Sequence, residues 1–337
     1  METILFSDSA EDISSAAELI KNGEVVGIPT ETVYGLGANA LNENAVRAVF
    51  SAKGRPADNP LIVHLADFSQ AENYTSYIPL LAYRLSEKFC PGPLTMVLPK
   101  NERIPMVTSG GLHTVGIRIP SHEIMHRIIV ESGCPIAAPS ANISGLPSPT
   151  CAAHVMEDMK GRISAVLDGG TSEFGVESTV ISFESEDTVR ILRPGAVTRE
   201  MLLEICHEVI IDPSILKELE EGEKAASPGM KYKHYSPKAN VIMVEGCAAD
   251  FRCFISENDG ENVYSLIYDS DDVDFPYNHM TYGETPLEQA HWIFQRLREL
   301  DEVGAKTVYV RAPIKEGVGL AVYNRLIRAA GFEVIRI

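Results

Sequence analysis

Lys53 and Arg55 stand two residues apart in SAKGRPADNP (51–60), on either side of a glycine and just ahead of a proline-punctuated turn. Such a loop can aim two cations at one phosphate chain, the guanidinium as a bidentate fork and the ammonium as a point charge. Alone, the same pair also reads as a solvated basic loop. APSANISGLPSPT (138–150) sets Ser140, Asn142, Ser144 and Ser148 among Gly and Pro, and rigid small-residue loops present hydroxyls and backbone N–H groups to anions. Arg118 in IRIPSH and Arg193 in RPG fall at the ends of strand-like runs, where ligand sites of α/β proteins collect. GVESTV (175–180) adds a Ser/Thr pair entering another run. Together these segments point to a deep site for an anionic nucleotide and a small polar molecule.

Other motifs are weaker. HEIMH (122–126) fits the H-E-x-x-H zinc pattern, but no third ligand stands out by spacing. It reads better as an amphipathic helix with Ile124, Met125, Ile128 and Ile129 as its packing side. Gly35-Leu36-Gly37 supplies two glycines of a dinucleotide fingerprint with Ala40 where the third belongs, and reads as a Gly-rich turn. The sequence contains neither G-x-x-x-x-G-K-[ST] nor G-x-S-x-G, so neither a P-loop nor a nucleophile elbow is expected.

The elements that must hold these loops follow from periodicity. Apolar spacing predicts helices over 10–22, 43–52, 121–132 and 150–160. EVVGIP, LIVHLA, TMVLP, TVGIRIP, PIAAPS, AVLDGG, STVISFE and VRILRPG read as short strands. Their order lacks strict alternation, which predicts an α/β domain with a mixed sheet. Residues 213–238 have linker composition. Beyond them, strands (NVIMVEG, NVYSLIYD, TVYVRA, EVIRI) alternate with helices near 248–256, 286–302 and 319–330, predicting a small parallel, Rossmann-like domain.

Composition sets the bounds. Across 337 residues, 45% are hydrophobic and 23% charged, an ordinary globular balance that leaves no room for long disorder. No apolar run reaches membrane-spanning length. The N-terminus is acidic and lacks the basic stretch of a secretory signal. Six scattered cysteines without a C-x-x-C pair fit a reducing compartment, so a cytoplasmic location is expected. The net charge is −18, and neither the first 212 residues nor the remainder is basic, which disfavours extended nucleic-acid binding. Small anionic substrates need only a few convergent cations.

The segments PTETVYGLG (29–37), SAKGRP (51–56), NPLIVH (59–64), PGPLTMVL (91–98), VGIRIP (115–120), PSANISG (139–145), GVESTVI (175–181) and ILRPGAV (191–197) resemble the threonylcarbamoyl-AMP synthase family, in that family's order. SPGMKYKHYSPKA (227–239) resembles the linker of its long, two-domain form, and GVGLAVYNRLIRAA (317–330) its C-terminal domain. The resemblance implies a YrdC-like catalytic domain over 1–212, built on a twisted, open mixed sheet with a concave face. It also implies a linker and lid over 213–238, and a Rossmann-like domain over 239–337.

The implied reaction joins L-threonine, bicarbonate (or CO2) and ATP into L-threonylcarbamoyladenylate, releasing pyrophosphate. A tRNA threonylcarbamoyl transferase machinery would then use the product beside the anticodon. By family position, Lys53, Arg55, Asn59, Thr114, Ser140, Asn142, Ser148, Arg193 and Tyr235 would bind ATP, with Mg2+ on its phosphates rather than on protein side chains. Thr32, His64, Arg118, Ala138 and Ser178 would hold threonine, and Tyr235 would close over the nucleotide. No covalent nucleophile is expected. Two alternatives are a carbamoyl-adenylate-forming carbamoyltransferase, whose zinc-finger segments are missing here, and a non-catalytic RNA-binding module, which the charge opposes.

Overall fold

The computed structural model describes residues 2–217 and 234–337. Most of the linker expected over 213–238, including Lys231 and Lys233 of the expected lid, lies outside the described residues. Among the described residues, no helix is long and apolar enough to cross a membrane.

The first part of the chain builds eleven strands: β1 (Ile4–Phe6), β2 (Val26–Ile28), β3 (Gly35–Asn39), β4 (Ile62–His64), β5 (Leu94–Pro99), β6 (Thr114–Arg118), β7 (Ile136–Ala137), β8 (Ala165–Leu167), β9 (Thr179–Phe183), β10 (Thr188–Arg193) and β11 (Glu208–Ile211). They form one mixed sheet in the order β1-β8-β2-β3-β7-β4-β6-β5-β9-β10-β11. Six helices flank it: α1 (Ala10–Lys21), α2 (Glu43–Lys53), α3 (Leu80–Phe89), α4 (Glu123–Ser132), α5 (Ala152–Met159) and α6 (Arg199–Leu203). Local chemistry sets their ends. The Ser9 side chain accepts from the Asp12 N–H at the start of α1. Asn42 caps α2, and Gly54 ends it in a left-handed conformation. In α4, Met125, Ile128 and Ile129 are buried while Glu123 and His126 are exposed, the packing expected of HEIMH as an amphipathic helix.

The second part is a five-stranded parallel sheet: β12 (Asn240–Glu245), β13 (Val263–Ile267), β14 (His279–Thr281), β15 (Thr307–Arg311) and β16 (Val334–Arg336), in the order β14-β13-β15-β12-β16. Its helices are α7 (Ala248–Asn258), α8 (Pro286–Glu302) and α9 (Gly317–Ala329). A Thr285/Glu288 capping box with Pro286 fixes the start of α8. Every residue of α9 from Gly319 to Ala329 is buried. A helix buried on all sides must be covered on all sides, and α9 is wedged between its own sheet and the first one. On the first-domain side, Asn324 donates to the Ile215 carbonyl at 2.7 Å and Arg328 to the Ser214 carbonyl at 2.9 Å.

The mixed and parallel sheets agree with the sequence reading; some local assignments do not. Gly35–Asn39, read as a Gly-rich turn, is the strand β3 between β2 and β7. The neighbours' packing favours glycine there: a Cβ at Gly37 would lie 2.1 Å from Ile28 Cδ1 and 3.2 Å from Ile136 Cγ2, so a larger residue would force the Ile28 side chain to shift. The helices α3 and α6 and the strands β1, β11 and β14 were not anticipated.

Candidate active site

Sheet register assembles the site. His64 on β4 pairs with Arg118 on β6, Arg118 with Thr95 on β5, Thr95 with Val180 on β9, and Val180 with Arg193 on β10. Paired residues on neighbouring strands share a face, so one row across five strands runs from an imidazole and a guanidinium to a second guanidinium. Two residues along, a second row carries Ile62, Gly116 and Val97. With Pro60, Val180 and Thr114 these line an apolar shelf beside the first row.

Loops wall the row into a cavity. It gathers Thr32, Lys53, Arg55, His64, Arg118, Ala138, Ser140, Asn142, Ser178, Arg193 and Tyr235, all named from sequence. Three others stand apart from it. Thr114 is half-buried on the apolar shelf. Asn59 is buried, its Oδ1 without a hydrogen-bond partner among the described residues. Ser148 is buried behind the wall and donates to Glu177 Oε1 at 2.5 Å.

At one end, Arg118 pairs with Glu31 at 2.7 Å, and both side chains are almost wholly buried. Burial pushes the Glu31 carboxyl up, but the Arg118 charge outweighs it and holds the group below its ordinary value. His64 sits beside the pair with Nδ1 3.3 Å from the Ile136 carbonyl. Burial, aided by Arg118, pushes the imidazole down to about 3, so it is neutral near pH 7. The Thr30 and Thr32 hydroxyls lie 2.9 Å apart nearby. This end offers a guanidinium, a neutral imidazole and hydroxyls, which suits a small zwitterion bearing a hydroxyl.

At the other end the cations crowd. Arg193 donates from Nε to the Ser178 carbonyl and from an NH2 group to Ser178 Oγ, both at 3.0 Å. Ser178 Oγ in turn meets Thr95 Oγ1 at 2.8 Å. Burial brings both Arg55 and Arg193 down to about 10, which leaves each charged at neutral pH. Lys53 is buried, and burial followed by the Arg55 charge pushes its ammonium well down. Its Nζ donates to the carbonyls of Ser140 and Asn142, so it organises the 138–148 loop.

Two carboxylates and two more polar groups of the site escaped the sequence reading. Glu31 and Thr95 lie inside quoted motifs without having been singled out. Glu177 lines the cavity between Ser148 and Arg325, whose Nε donates to Glu177 Oε2 at 2.8 Å. Arg325 belongs to α9 and is fully buried. A further departure concerns Tyr235, expected in a polar segment with few core contacts. Its ring packs 5.1 Å from that of Phe294, and Ser236 beside it donates its N–H to the Gly145 carbonyl.

Comparison with known proteins fits this geometry. The family described as Telomere recombination matches residues 18–195, and the one described as Threonylcarbamoyl-AMP synthase, C-terminal domain, matches residues 197–331. A threonylcarbamoyl-AMP synthase of Pyrococcus abyssi is 46% identical over 334 residues, covering 96% of each chain. That of Bacillus subtilis is 43% identical over 341 residues, covering 98% of this chain and 96% of its own. The chain belongs to the threonylcarbamoyl-AMP synthase family. The crystal structure of Pyrococcus abyssi Sua5 complexed with L-threonine matches it with a TM-score of 0.91 at 42% identity over the whole of both chains. Both the mixed sheet and the parallel sheet of this synthase-family chain therefore have a solved counterpart.

Proposed function

We propose that this chain makes L-threonylcarbamoyladenylate from L-threonine, bicarbonate or CO2, and ATP, releasing pyrophosphate. The observation that carries the reading is the single row from His64 and Arg118 to Arg193, which places a carboxylate-binding end and a phosphate-binding end on one face. The threonine-bound relative of the same fold supports it.

Arg118 takes the threonine carboxylate, and Thr32, His64, Ala138 and Ser178 surround the hydroxyl and methyl groups. Neutral His64 can exchange hydrogen bonds without adding charge. Arg55 and Arg193 take phosphate oxygens, with Ser140, Asn142 and Ser148 ordering the facing loop and Lys53 holding it. The base lies along the apolar shelf at Ile62 and Val97 near Asn59 and Thr114, and Tyr235 covers the nucleotide.

The chemistry asks mainly for positioning. The threonine amine bonds to the CO2 carbon and loses a proton, giving a carbamate. A carbamate oxygen then attacks the α-phosphorus, the bond to the β-phosphate oxygen breaks, and pyrophosphate departs with that electron pair. Fixed guanidiniums stabilise the charge that moves to the leaving group, so no protein nucleophile is required. Mg2+ would be carried by the ATP phosphates, where it would offset their charge.

The product would feed a tRNA threonylcarbamoyl transferase machinery in the cytoplasm; the six unpaired cysteines are compatible with that compartment. The test is pyrophosphate release from ATP with bicarbonate present and the co-substrate varied among threonine, serine and carbamoyl phosphate. Threonine-dependent release is expected. Release driven by carbamoyl phosphate alone would replace the reading with carbamoyl-adenylate formation.

A further inference from the structure

A carboxylate in the wall of a triphosphate site needs an explanation. Glu177 lines the cavity, is buried, and stands beside Ser178 and Arg193, where phosphate charge would collect. Unpaired, it would repel ATP. It is not unpaired. Arg325 donates to Glu177 Oε2 at 2.8 Å and to its backbone carbonyl at 3.3 Å. Burial pushes the Glu177 carboxyl up, but Arg325 and then Arg193 outweigh it and keep it ionised below its ordinary value.

Arg325 comes from the other sheet's helix. It lies 148 residues from Glu177 in sequence and is held by α9, with the Asn324 side chain accepting at 2.8 Å. Its guanidinium also lies 5.7 Å from the Tyr235 ring centre, so one cation touches both the Glu177 wall and the tyrosine that covers the cavity.

We infer that Arg325 is a positioning residue by which the C-terminal domain makes the nucleotide site competent: it neutralises Glu177 and fixes the carboxylate that orients Ser148. The first domain carries the contacting groups, but their electrostatic balance is completed from the second. The inference rests on the reading of the cavity as the ATP site.

Charge sign separates this role from that of a simple rivet. Arg325→Gln leaves the Glu177 carboxylate facing the phosphates with only Arg193 to offset it, and the KM for ATP should rise at least about tenfold while that for threonine stays within about twofold. Glu177→Gln leaves an uncompensated cation, and because the amide oxygen still accepts from Ser148, the KM for ATP should hold steady or fall even as thermal stability drops. The double variant should recover most of the ATP affinity lost by Arg325→Gln. If Arg325→Gln does not fold, Glu177→Gln and the double variant still decide the sign.

Calorimetric titration of the folded full-length proteins with Mg-ATP, without threonine, reads the same quantity directly. Equal KM increases for ATP in both single variants, or a double variant no better than Arg325→Gln, would overturn the inference. A wild type that binds Mg-ATP without threonine-dependent pyrophosphate release would instead reject the proposed reaction and leave Arg325 testable by the titration.

Discussion

Replacing Arg118 by Gln should damage two things at once, and a second substitution should repair only one of them. The Arg118–Glu31 pair is 2.7 Å long, with side chains 5% and 3% exposed. Removing one partner of a buried pair strands the other charge, at a cost of about 3–5 kcal/mol in unfolding free energy. Arg118→Gln also removes the group assigned to the threonine carboxylate. A charge-assisted contact of about 1.5–3 kcal/mol corresponds to a KM for threonine raised between about 10- and 150-fold. Adding Glu31→Gln takes away the stranded carboxylate. Stability should then return to within about 1 kcal/mol of the parent, with the threonine KM still high. The single variant's deficit should also shrink as the pH falls toward the ordinary carboxylate range, because Glu31 without Arg118 loses its main downward influence, burial pushes it up, and it can take up a proton. Urea denaturation read beside threonine titrations at saturating ATP checks both halves. A parental threonine KM in Arg118→Gln, or a double variant that regains affinity along with stability, refutes the reasoning.

Burial pushes His64 down to about 3 from 6.5, so its contribution is intact above about pH 6.5 and falls away as pH drops toward 3, a loss of ~2 kcal/mol by about pH 5; comparing denaturation between about pH 6.5 and about pH 5 for wild type and His64→Asn should show a loss larger by about that amount in the wild type. Arg55→Ala should reduce threonine-dependent pyrophosphate release at least about tenfold, and an unchanged rate would detach the SAKGRP loop from the nucleotide. Gly175 has φ +73°, and a Cβ there would lie 2.5 Å from the carbonyl oxygens of Ala290 and His291; Gly175→Ala should therefore lower stability by at least about 2 kcal/mol, measured by thermal denaturation, and disturb the neighbouring Glu177.

What could be read from the sequence divides along a physical line. Arg118 and Arg193 were legible because β-branched runs mark strands and ligand sites of α/β proteins collect at strand ends, whereas His64 entered only through the family resemblance. Their common row was not legible, since register depends on how non-adjacent strands pair. Gly35–Asn39 was misread because its strand character comes from Ile28 and Ile136 packing over its glycines rather than from its own propensities. Glu31 and Glu177 escaped for a related reason. A search for an anion site follows cations, and a carboxylate belongs there only once its guanidinium is known. For Glu177 that guanidinium is Arg325, in another sheet's helix.

Four of the 29 Lys and Arg residues of the −18 chain stand where a long polyanion has little use for them. Lys53, Arg55, Arg118 and Arg193 all line one cavity, and Lys53, Arg118 and Arg193 are buried. Field lines concentrate in a low-dielectric cleft, so a few enclosed charges attract small anions while the acidic exterior repels a nucleic-acid backbone. On the proposed reaction this arrangement admits ATP and threonine and keeps tRNA phosphates from competing for the same guanidiniums. On that reading the adenylate would pass from the cleft to the tRNA on its own or through a partner's contact.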